Sequence, residues 1–361
     1  MPIFHDTNHR TWSLLTGCVA LTCALLGACA PPGPPPPLRG ATMGTSYSVK
    51  VTALPATLSR ADLQALVEQE LQQVNAAMST YDPASEISRF NRHQDDGWFS
   101  VGPDLAGIVM RARDIGARSG GAFDITVGPL VEAWGFGASG PRDLPPSGQE
   151  LAAASAVIGI HRLLPRVEPP ALRKSVAGLQ IDLGAIAKGY GVDRIATALE
   201  AAGIDSYLVE IGGELRTRGR RHDGAMWRVG IEQPAPDGRR VQLALPMHRD
   251  GAVATSGDYR NFVETNGQRY AHIIDPRTGR PVDHRLASVT VIADNCETAD
   301  AWATALSVLG TSEGYRIAEA EGLAALFIER DDDVFKETTT PAFDAWLSAA
   351  NQSPQETENN D

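Results

Sequence analysis

The segment from Ile181 to Asp193, IDLGAIAKGYGVD, constrains the fold more than any other stretch of the chain. Asp182 follows an apolar run and Gly184 permits a tight turn, which together predict a strand that passes into a helix. Lys188 lies one helical turn past Ala185, beside the first N–H groups of that helix, which have no intrahelical partner. Such a corner favours an anion, and a phosphate above all. The alternative is an ordinary strand-to-helix junction with a solvated lysine, which a glycine-rich turn alone does not exclude.

The net charge of −12 limits the partners of the chain. Nonspecific binding of nucleic acid requires clustered Lys and Arg that displace counterions from phosphates. The sequence has no basic stripe, so we expect no nucleic-acid partner. The 361 residues suffice for one large domain or two modest ones with a sizeable core.

Residues 1–28 have the features of a lipoprotein signal peptide. The apolar run from Trp12 to Leu26 is shorter than the roughly 20 residues of a membrane-spanning helix. Leu26 to Cys29 resembles a bacterial lipoprotein cleavage box, in which Cys29 becomes the lipidated first residue. The proline-rich segment 29–39 follows as a tether. The sequence therefore predicts a membrane-anchored lipoprotein that faces the periplasm, and a plain secretory signal is the alternative.

One globular domain is predicted over residues 40–337, followed by a C-terminal segment, 338–361, with a polar, frayed end. Cys296 is the only cysteine after Cys29, so we expect no internal disulfide in the domain and a buried structural thiol.

Helices and strands are predicted to alternate irregularly along this domain. Ser59 and Asp62 resemble a capping box for a helix that continues to Met78, and a second helix is indicated between Leu105 and Ile115. This spacing favours an α+β fold, with mixed sheets flanked by helices, over a regular parallel sheet. The β-rich runs are Ser46–Val51, Tyr207–Ile211, Trp227–Ile231, Val253–Ser256, Val289–Ala293 and Ala324–Ile328.

The segment Ala271–Asp283, AHIIDPRTGRPVD, carries a second candidate site. His272 and Ile274 are predicted to face one way along a strand, and Ile273 the other, before a turn-rich loop. A histidine at this position can reach a cleft and titrate near neutrality, as a general base must. The alternative for His272 is a core histidine bonded to a backbone carbonyl.

The segment Glu297–Leu306, ETADAWATAL, places Asp300 and Thr304 four residues apart on one face of a predicted helix. A carboxylate and a hydroxyl at this spacing suit a hard cation such as Mg²⁺, which keeps waters and binds substrate phosphates. The alternative is a Thr304 hydroxyl that bonds back to the Asp300 carbonyl within the helix.

Together these segments resemble the ApbE-type flavin transferases, FAD:protein FMN transferases, over roughly Gly40 to Glu329. The resemblance rests on eight ordered motifs, each of which would be weak alone, and it implies an ApbE-like, T-fold-like architecture within the α+β class. The motifs are TMGT (Thr42–Thr45), MSTYDPASEISRFN (Met78–Asn91), GGAFDITVGPLVEAWGFG (Gly120–Gly137), DLGAIAKGYGVD (Asp182–Asp193), IGGE (Ile211–Glu214), TSGDYRNF (Thr255–Phe262), HIIDPRTGRPV (His272–Val282) and ADAWATAL (Ala299–Leu306).

The resemblance implies that FAD and Mg²⁺ bind, and that the FMN half of FAD is transferred to a Thr or Ser hydroxyl of a partner protein with release of AMP. Some relatives place a second aspartate directly before the metal-binding threonine, where this chain has Ala303. The cation is therefore expected to carry one more water or to bind less tightly. The implied FAD site consists of Met43, Tyr81, Ala122, Phe123, Asp124, Asp182, Lys188 and Ile274, and the implied metal ligands are the Ala185 carbonyl, Asp300 and Thr304.

Phosphoryl transfer depends on positioning and charge neutralisation, which such a site can supply. Lys188 and the cation would stabilise charge on the leaving phosphate. His272 is the candidate base for the incoming hydroxyl, and Asp275 is its orienting partner or a second candidate. Hydrolysis of FAD to FMN and AMP, and noncatalytic FAD binding by a lipoprotein, are the alternative functions. The resemblance also suggests an acceptor protein within a membrane redox complex.

Aromatic and basic side chains near these motifs have two interpretations each. The aromatic side chains can stack on the flat flavin ring or pack in the core. Arg260 and Arg277 are candidates for a phosphate contact, and the alternative is exposure to water. The aromatic set is Tyr81, Phe123, Trp134 and Phe136.

Overall fold

The computed structural model describes residues 33–142, 144–234, 240–257, 262–265, 268–331 and 334–352. Spatial contacts separate Met1–Pro34 from Pro35–Asp361, and the elements below belong to the second unit. The helices are α1 (Arg60–Met78), α2 (Glu86–Arg92), α3 (Pro103–Arg118), α4 (Gly128–Ala133), α5 (Gly148–Val157), α6 (Ala187–Ala201), α7 (Cys296–Ala320) and α8 (Pro341–Gln352), with a 3₁₀ turn at Ile160–Arg162. The strands are β1 (Leu38–Thr42), β2 (Thr45–Val51), β3 (Phe99–Ser100), β4 (Leu163–Arg166), β5 (Ala171–Lys174), β6 (Tyr207–Ile211), β7 (Glu214–Arg218), β8 (Trp227–Glu232), β9 (Val241–Met247), β10 (Gly251–Gly257), β11 (Phe262–Thr265), β12 (Gln268–Ala271), β13 (Ile274–Asp275), β14 (Arg280–Pro281), β15 (Leu286–Ala293), β16 (Ala324–Asp331) and β17 (Val334–Thr339).

An eight-stranded sheet runs through the centre of the fold in the order β1-β2-β6-β7-β10-β15-β16-β17. Each neighbouring pair in this sheet is antiparallel. The two-residue turns Met43-Gly44 and Gly212-Gly213 join consecutive strands, and turns this short can connect only antiparallel neighbours. The predicted α+β class is confirmed, and its sheets, which we expected to be mixed, pair antiparallel throughout these ladders.

Both faces of the central sheet are buried. Ala254 of β10 packs into the cluster formed with α3 and α7, whereas its neighbour Val253 packs on the other face against the β8–β9 hairpin and α8. Helices α1 and α6 cover the β2–β6 end of the sheet on the helical side. Successive side chains of a strand point to opposite faces, so this double burial makes the central strands apolar rather than alternating.

The two predicted helices are confirmed. The Ser59 hydroxyl accepts the Asp62 N–H ahead of α1, and the Asp62 carboxylate accepts the Ser59 N–H, as a capping box requires. Helix α3 buries the predicted face from Leu105 to Ile115. Each of the β-rich runs lies within a strand of the structure.

The folded elements of the structure extend past both predicted ends of the domain. Strand β1 begins at Leu38, inside the segment predicted to be a tether. At the other end, β17 and α8 extend the folded region beyond residue 337, because Phe343 and Trp346 are buried against the sheet. The frayed end was predicted from Asn351, but Asn351 and Gln352 belong to α8, and residues 353–361 lie outside the described part of the chain.

Candidate active site

The corner at Asp182 is held by a side chain from another motif. Asn91 Nδ2 donates to the Ile181 carbonyl at 2.9 Å, and Asn91 Oδ1 accepts the Ile181 N–H at 2.7 Å. Ile181 and Asp182 lie outside any strand, contrary to the prediction, although Gln180 makes an isolated bridge to Val127 and the Asp182 N–H donates to the Ile125 carbonyl at 2.8 Å. Asp182 Oδ1 accepts the Gly184 N–H at 2.7 Å. Burial raises the pKa of Asp182, and this hydrogen bond acts in the opposite direction.

The first turn of α6 meets α7 at Gly189. The Gly189 N–H donates to Asp300 Oδ2 at 2.9 Å. A β carbon at position 189 would lie 2.4 Å from the Cys296 carbonyl oxygen and 2.8 Å from Asp300 Cβ, so only glycine permits this approach. We expected the N–H groups of this turn to await an anion, and the structure shows that one of them is already bonded to a carboxylate of the protein. That carboxylate lies far along the chain, so the local sequence could not reveal it.

Lys188 lies between two buried carboxylates. Its Nζ is 2.8 Å from Glu214 Oε1 and 3.7 Å from Asp300 Oδ1. The Glu214 and Asp300 residues are 4% and 3% exposed, so Lys188 is not the solvated lysine of the alternative interpretation. Glu214 ends the IGGE motif, but no role was predicted for it.

The surroundings of Lys188 and Glu214 shift the pKa of each of these two groups. Burial lowers the pKa of Lys188, but the charges of Asp300 and Glu214 outweigh it and raise that pKa above its ordinary value. Burial also raises the pKa of Glu214 to about 7, while the Lys188 ammonium acts in the opposite direction. Glu214 Oε2 is buried and has no hydrogen-bond partner in the described part of the chain. A site of this kind holds fixed charge in a dry environment, which is typical of catalytic clefts.

Helix α7 carries the two side chains predicted to hold Mg²⁺, and their chemistry fits that ion. Asp300 offers a carboxylate and Thr304 a hydroxyl, and the Ala185 carbonyl receives no backbone N–H from the described residues because Gly189 donates to Asp300 instead. Oxygen ligands of these types are the ones Mg²⁺ prefers, and the ion completes its shell with waters and phosphate.

Two further observations bear on the metal prediction. In the described part of α7 no hydrogen bond joins the Thr304 hydroxyl to the Asp300 carbonyl, whereas Thr197 of α6 does bond back to Asp193 at 2.9 Å. No cluster of three His, Cys, Asp or Glu side chains suited to a metal occurs among residues the structure describes. The implied ligand set is of a different kind, since it has one carboxylate.

His272 lies at a bend after β12, half-buried, with its ring centroid 6.5 Å from that of Phe136 in an edge-on arrangement. The predicted alternation along a strand is wrong, because the bend turns both Ile273 and Ile274 into the interior. Ile274 packs with Leu130 of α4. The histidine is therefore placed beside the α4 segment, and its role as a base stays a prediction.

Asp275 is engaged by Arg277. Its Oδ1 accepts the Arg277 backbone N–H at 2.8 Å and Nε at 3.0 Å, and its Oδ2 accepts Nη2 at 3.0 Å. Arg277 also pairs with Glu313 at 3.2 Å. The Arg277 guanidinium, a candidate for a phosphate contact, is thus already paired with the carboxylates of Asp275 and Glu313. The other candidate, Arg260, lies outside the described residues.

Met43 lies in a turn and Tyr81 at a bend, and both are predicted to line the FAD site. Met43 has a φ of 49°, the left-handed region that favours glycine, and strained positions of this kind cluster at ligand sites. Its Cε would be 3.0 Å from a β carbon at Gly191, so it lies beside α6. Tyr81 is 72% exposed and is free of the core, as a stacking residue requires.

The segment from Ala122 to Asp124 is explained by the fold alone. Ala122 and Phe123 are buried in the main core cluster. Asp124 accepts hydrogen bonds from the Thr126 N–H and hydroxyl and from the Ile160 N–H, at 2.7 to 2.9 Å. Burial raises the pKa of Asp124, and these hydrogen bonds oppose that shift. Their contact with FAD stays a prediction.

Of the remaining aromatic candidates, Trp134 belongs to the fold. Its Nε1 donates to the Gly279 carbonyl at 3.0 Å, and its ring lies 5.4 Å from that of Tyr270. Cys296 is fully buried, which confirms the prediction of a structural thiol. Cys29 and the leader 1–28 lie outside the described residues. Within the described ranges, no helix is both long enough and apolar enough to cross a bilayer.

The ordered motifs, the antiparallel α+β fold and the α6–α7 site are together those of one protein family. The model of the ApbE family matches residues 43–327, and the chain belongs to that family.

Individual relatives cover most of the chain. An FAD:protein FMN transferase of Vibrio cholerae serotype O1 is 44% identical over 90% of this chain and 96% of its own length. The solved structure of the flavin transferase ApbE from Vibrio cholerae has a TM-score of 0.79 and 42% identity, covering 88% of this chain and 100% of that one. The apo flavinyl transferase ApbE of Pseudomonas stutzeri has a TM-score of 0.80 and 39% identity, over 88% of this chain and 99% of its own.

Proposed function

We propose that this protein is a Mg²⁺-dependent transferase that moves the FMN half of FAD onto a Ser or Thr hydroxyl of an acceptor protein and releases AMP. The observation that carries the proposal is the buried cluster of Lys188, Glu214 and Asp300 at the first turn of α6. Relatives that cover nearly the whole chain are named for this activity.

The reaction exchanges the phosphoanhydride bond of FAD for a phosphate ester bond to the acceptor. The acceptor hydroxyl oxygen bonds to the FMN phosphorus, the bond from that phosphorus to the oxygen shared with AMP breaks, and AMP leaves with that oxygen. When bound by Asp300, Thr304 and the Ala185 carbonyl, Mg²⁺ supplies neutralisation of diphosphate charge. Lys188 adds a fixed positive charge for the leaving phosphate, because its pKa stays above neutrality between its two carboxylates.

His272 is the group we assign to the proton of the incoming hydroxyl. Its half-buried ring at a bend beside Phe136 can face a cleft while its backbone is anchored by Ile273 and Ile274. Asp275 orients this segment through its bonds to Arg277. We assign the half-buried Asp182 to the FAD side of the corner that also carries Lys188.

We also propose that Cys29 carries lipid and anchors the enzyme at the periplasmic face of a membrane. Acceptors would be subunits of membrane redox complexes. Confining enzyme and acceptor to one surface raises their effective concentration, which favours a slow bimolecular transfer.

One incubation separates the proposal from its alternatives. The purified protein is mixed with FAD, Mg²⁺ and a candidate acceptor subunit, and each product is measured. Flavin fluorescence on the denatured acceptor, with an equal amount of AMP, is the expected result. Free FMN with AMP and an unmodified acceptor would assign FAD hydrolysis, and unchanged FAD would assign binding alone. An acceptor whose Ser or Thr is replaced by Ala is the control.

A further inference from the structure

Asp193 ends the IDLGAIAKGYGVD segment, and no step of the proposed reaction uses it. Its Oδ1 accepts the Cys296 N–H at 3.0 Å, and its Oδ2 accepts the Glu297 N–H at 2.8 Å. Arg216 of β7 donates to the same Oδ1 at 2.9 Å. The carboxylate thus lies on the first turn of α7 while its backbone belongs to α6.

The first turn of α7 has two caps of different origin. Asn295, the residue before the helix, accepts the Thr298 N–H at 2.9 Å in the ordinary local way. Asp193, which belongs to helix α6, accepts the N–H groups of the two residues before Thr298, Cys296 and Glu297. Both caps stabilise α7, but only the second one fixes where α7 begins relative to α6.

A second contact between these helices lies one turn earlier on α6 and one turn later on α7. Gly189 is one turn before Asp193 on α6, and it donates to Asp300, which is one turn after Cys296 on α7. Two hydrogen-bonded points of this kind set both the distance and the register of the two helices. They therefore set the position of the Asp300 carboxylate relative to Lys188, which is 3.7 Å away.

We propose that Asp193 is a positioning residue for the cation site, which acts by holding Asp300 in place through the first turn of α7. This inference rests on the proposed function, because it concerns the cation that the reaction needs. Groups that orient a metal ligand commonly contribute about 10- to 100-fold to metal affinity. The same range is expected here, although Asp193 acts through a helix rather than by bonding the ligand directly.

The test compares two caps of the same helix. Asp193→Ala and Asn295→Ala each remove a cap, and each is expected to lower Tm by about 2 °C. Mn²⁺ binding in the presence of FAD is measured by calorimetry, and the Mg²⁺ concentration for half-maximal flavin transfer is measured separately. We expect Asp193→Ala to weaken both by about tenfold or more, and Asn295→Ala to change neither by as much as about threefold. Equal effects of the two variants on cation binding would show that Asp193 is only a cap.

A milder variant covers the case in which Asp193→Ala does not fold. Asp193→Asn keeps one acceptor for α7 and loses the charge that pairs with Arg216, so its cation affinity should fall between wild type and Asp193→Ala. A folded Asp193→Asn protein with wild-type cation affinity would overturn the inference. If wild-type protein transfers no flavin but still binds Mn²⁺ with FAD, the proposed function fails while the calorimetric comparison still decides the role of Asp193.

Discussion

Gly189 shows how much of the site depends on a single missing side chain. A β carbon there would meet the Cys296 carbonyl and the Asp300 β carbon, and neither atom can shift without movement of the α7 backbone. We expect Gly189→Ala to force the helices apart, to lower the free energy of unfolding by about 2 kcal/mol, and to abolish most transfer. Chemical denaturation and the transfer assay measure the two effects.

Gly191 is the matched control, since it lies in the same helix. A β carbon there would meet the side-chain ends of Met43 and Ile211 at 3.0 and 3.2 Å, which can shift. Gly191→Ala should stay within about 1 kcal/mol of wild type, because alanine also favours the helix. If both variants are equally stable, close approach of α6 and α7 is not what requires Gly189.

The second prediction at the residue scale concerns His272. Removal of a general base costs about 10²- to 10⁴-fold in rate, because the hydroxyl then keeps its proton. His272→Ala should therefore nearly abolish flavin transfer and leave the FAD dissociation constant almost unchanged. Single-turnover rates and FAD titration check the two parts, and the exposed His222→Ala is the control. Undiminished transfer by His272→Ala would exclude the role.

A buried lysine on strand β5, Lys174, stabilises the segment that holds the corner at Ile181. Lys174 Nζ donates to the carbonyls of Phe90, Asn91 and Leu179 at 3.0 to 3.2 Å, so it holds the end of α2 from which Asn91 reaches Ile181. Burial lowers the pKa of Lys174 from its ordinary 10.5 to about 8. The folded protein thus releases this proton at lower pH than the unfolded chain does.

The stability should consequently depend on pH in a defined window. Between pH 8 and 10.5 the unfolded chain binds more protons at Lys174 than the folded protein, so the free energy of unfolding rises with pH there. Relative to Lys174→Met, wild type should gain about 2 kcal/mol across this window. Urea denaturation of both proteins at the two ends measures it, and the subtraction removes other titrating groups. A constant difference between the two proteins would mean that Lys174 keeps an ordinary pKa.

Local elements were predictable where local chemistry decides them. The capping box of Ser59 and Asp62, and the apolar face of α3, follow from residues close in sequence. The corner at Ile181 did not follow, because its partner Asn91 lies 90 residues earlier. The bend at His272 likewise depends on packing of Ile274 against α4, which alternation along the chain cannot show.

Some residues of the candidate site could likewise be predicted from the sequence, and others could not. Lys188, Asp300 and Thr304 could be predicted because their residue types suit phosphate and a hard cation. Glu214 was missed, because a glutamate after two glycines has no local signature until Lys188 is placed beside it. Resemblance to the family supplied Met43 and Tyr81, which composition and spacing would not have selected.

At the scale of the whole molecule, the proposed lipid anchor sets where the enzyme meets its acceptor. Acyl chains on Cys29 would hold the protein on a membrane, since each buried methylene contributes about 0.8 kcal/mol. Cys29→Ser should move the protein from the membrane fraction to the soluble periplasmic fraction, while transfer in detergent solution stays unchanged. Cell fractionation followed by immunoblotting measures the shift, and Cys18→Ser is the control. Membrane retention of the Cys29 variant would contradict the anchor.

The proposed transfer requires a cation between α7 and the diphosphate of FAD. Anomalous diffraction from crystals grown with FAD and Mn²⁺, in place of Mg²⁺, locates that ion directly. We predict one ion bonded to the Asp300 carboxylate and the Thr304 hydroxyl and in contact with the diphosphate. An ion bound elsewhere, or FAD bound with no ion at Asp300, would contradict the account.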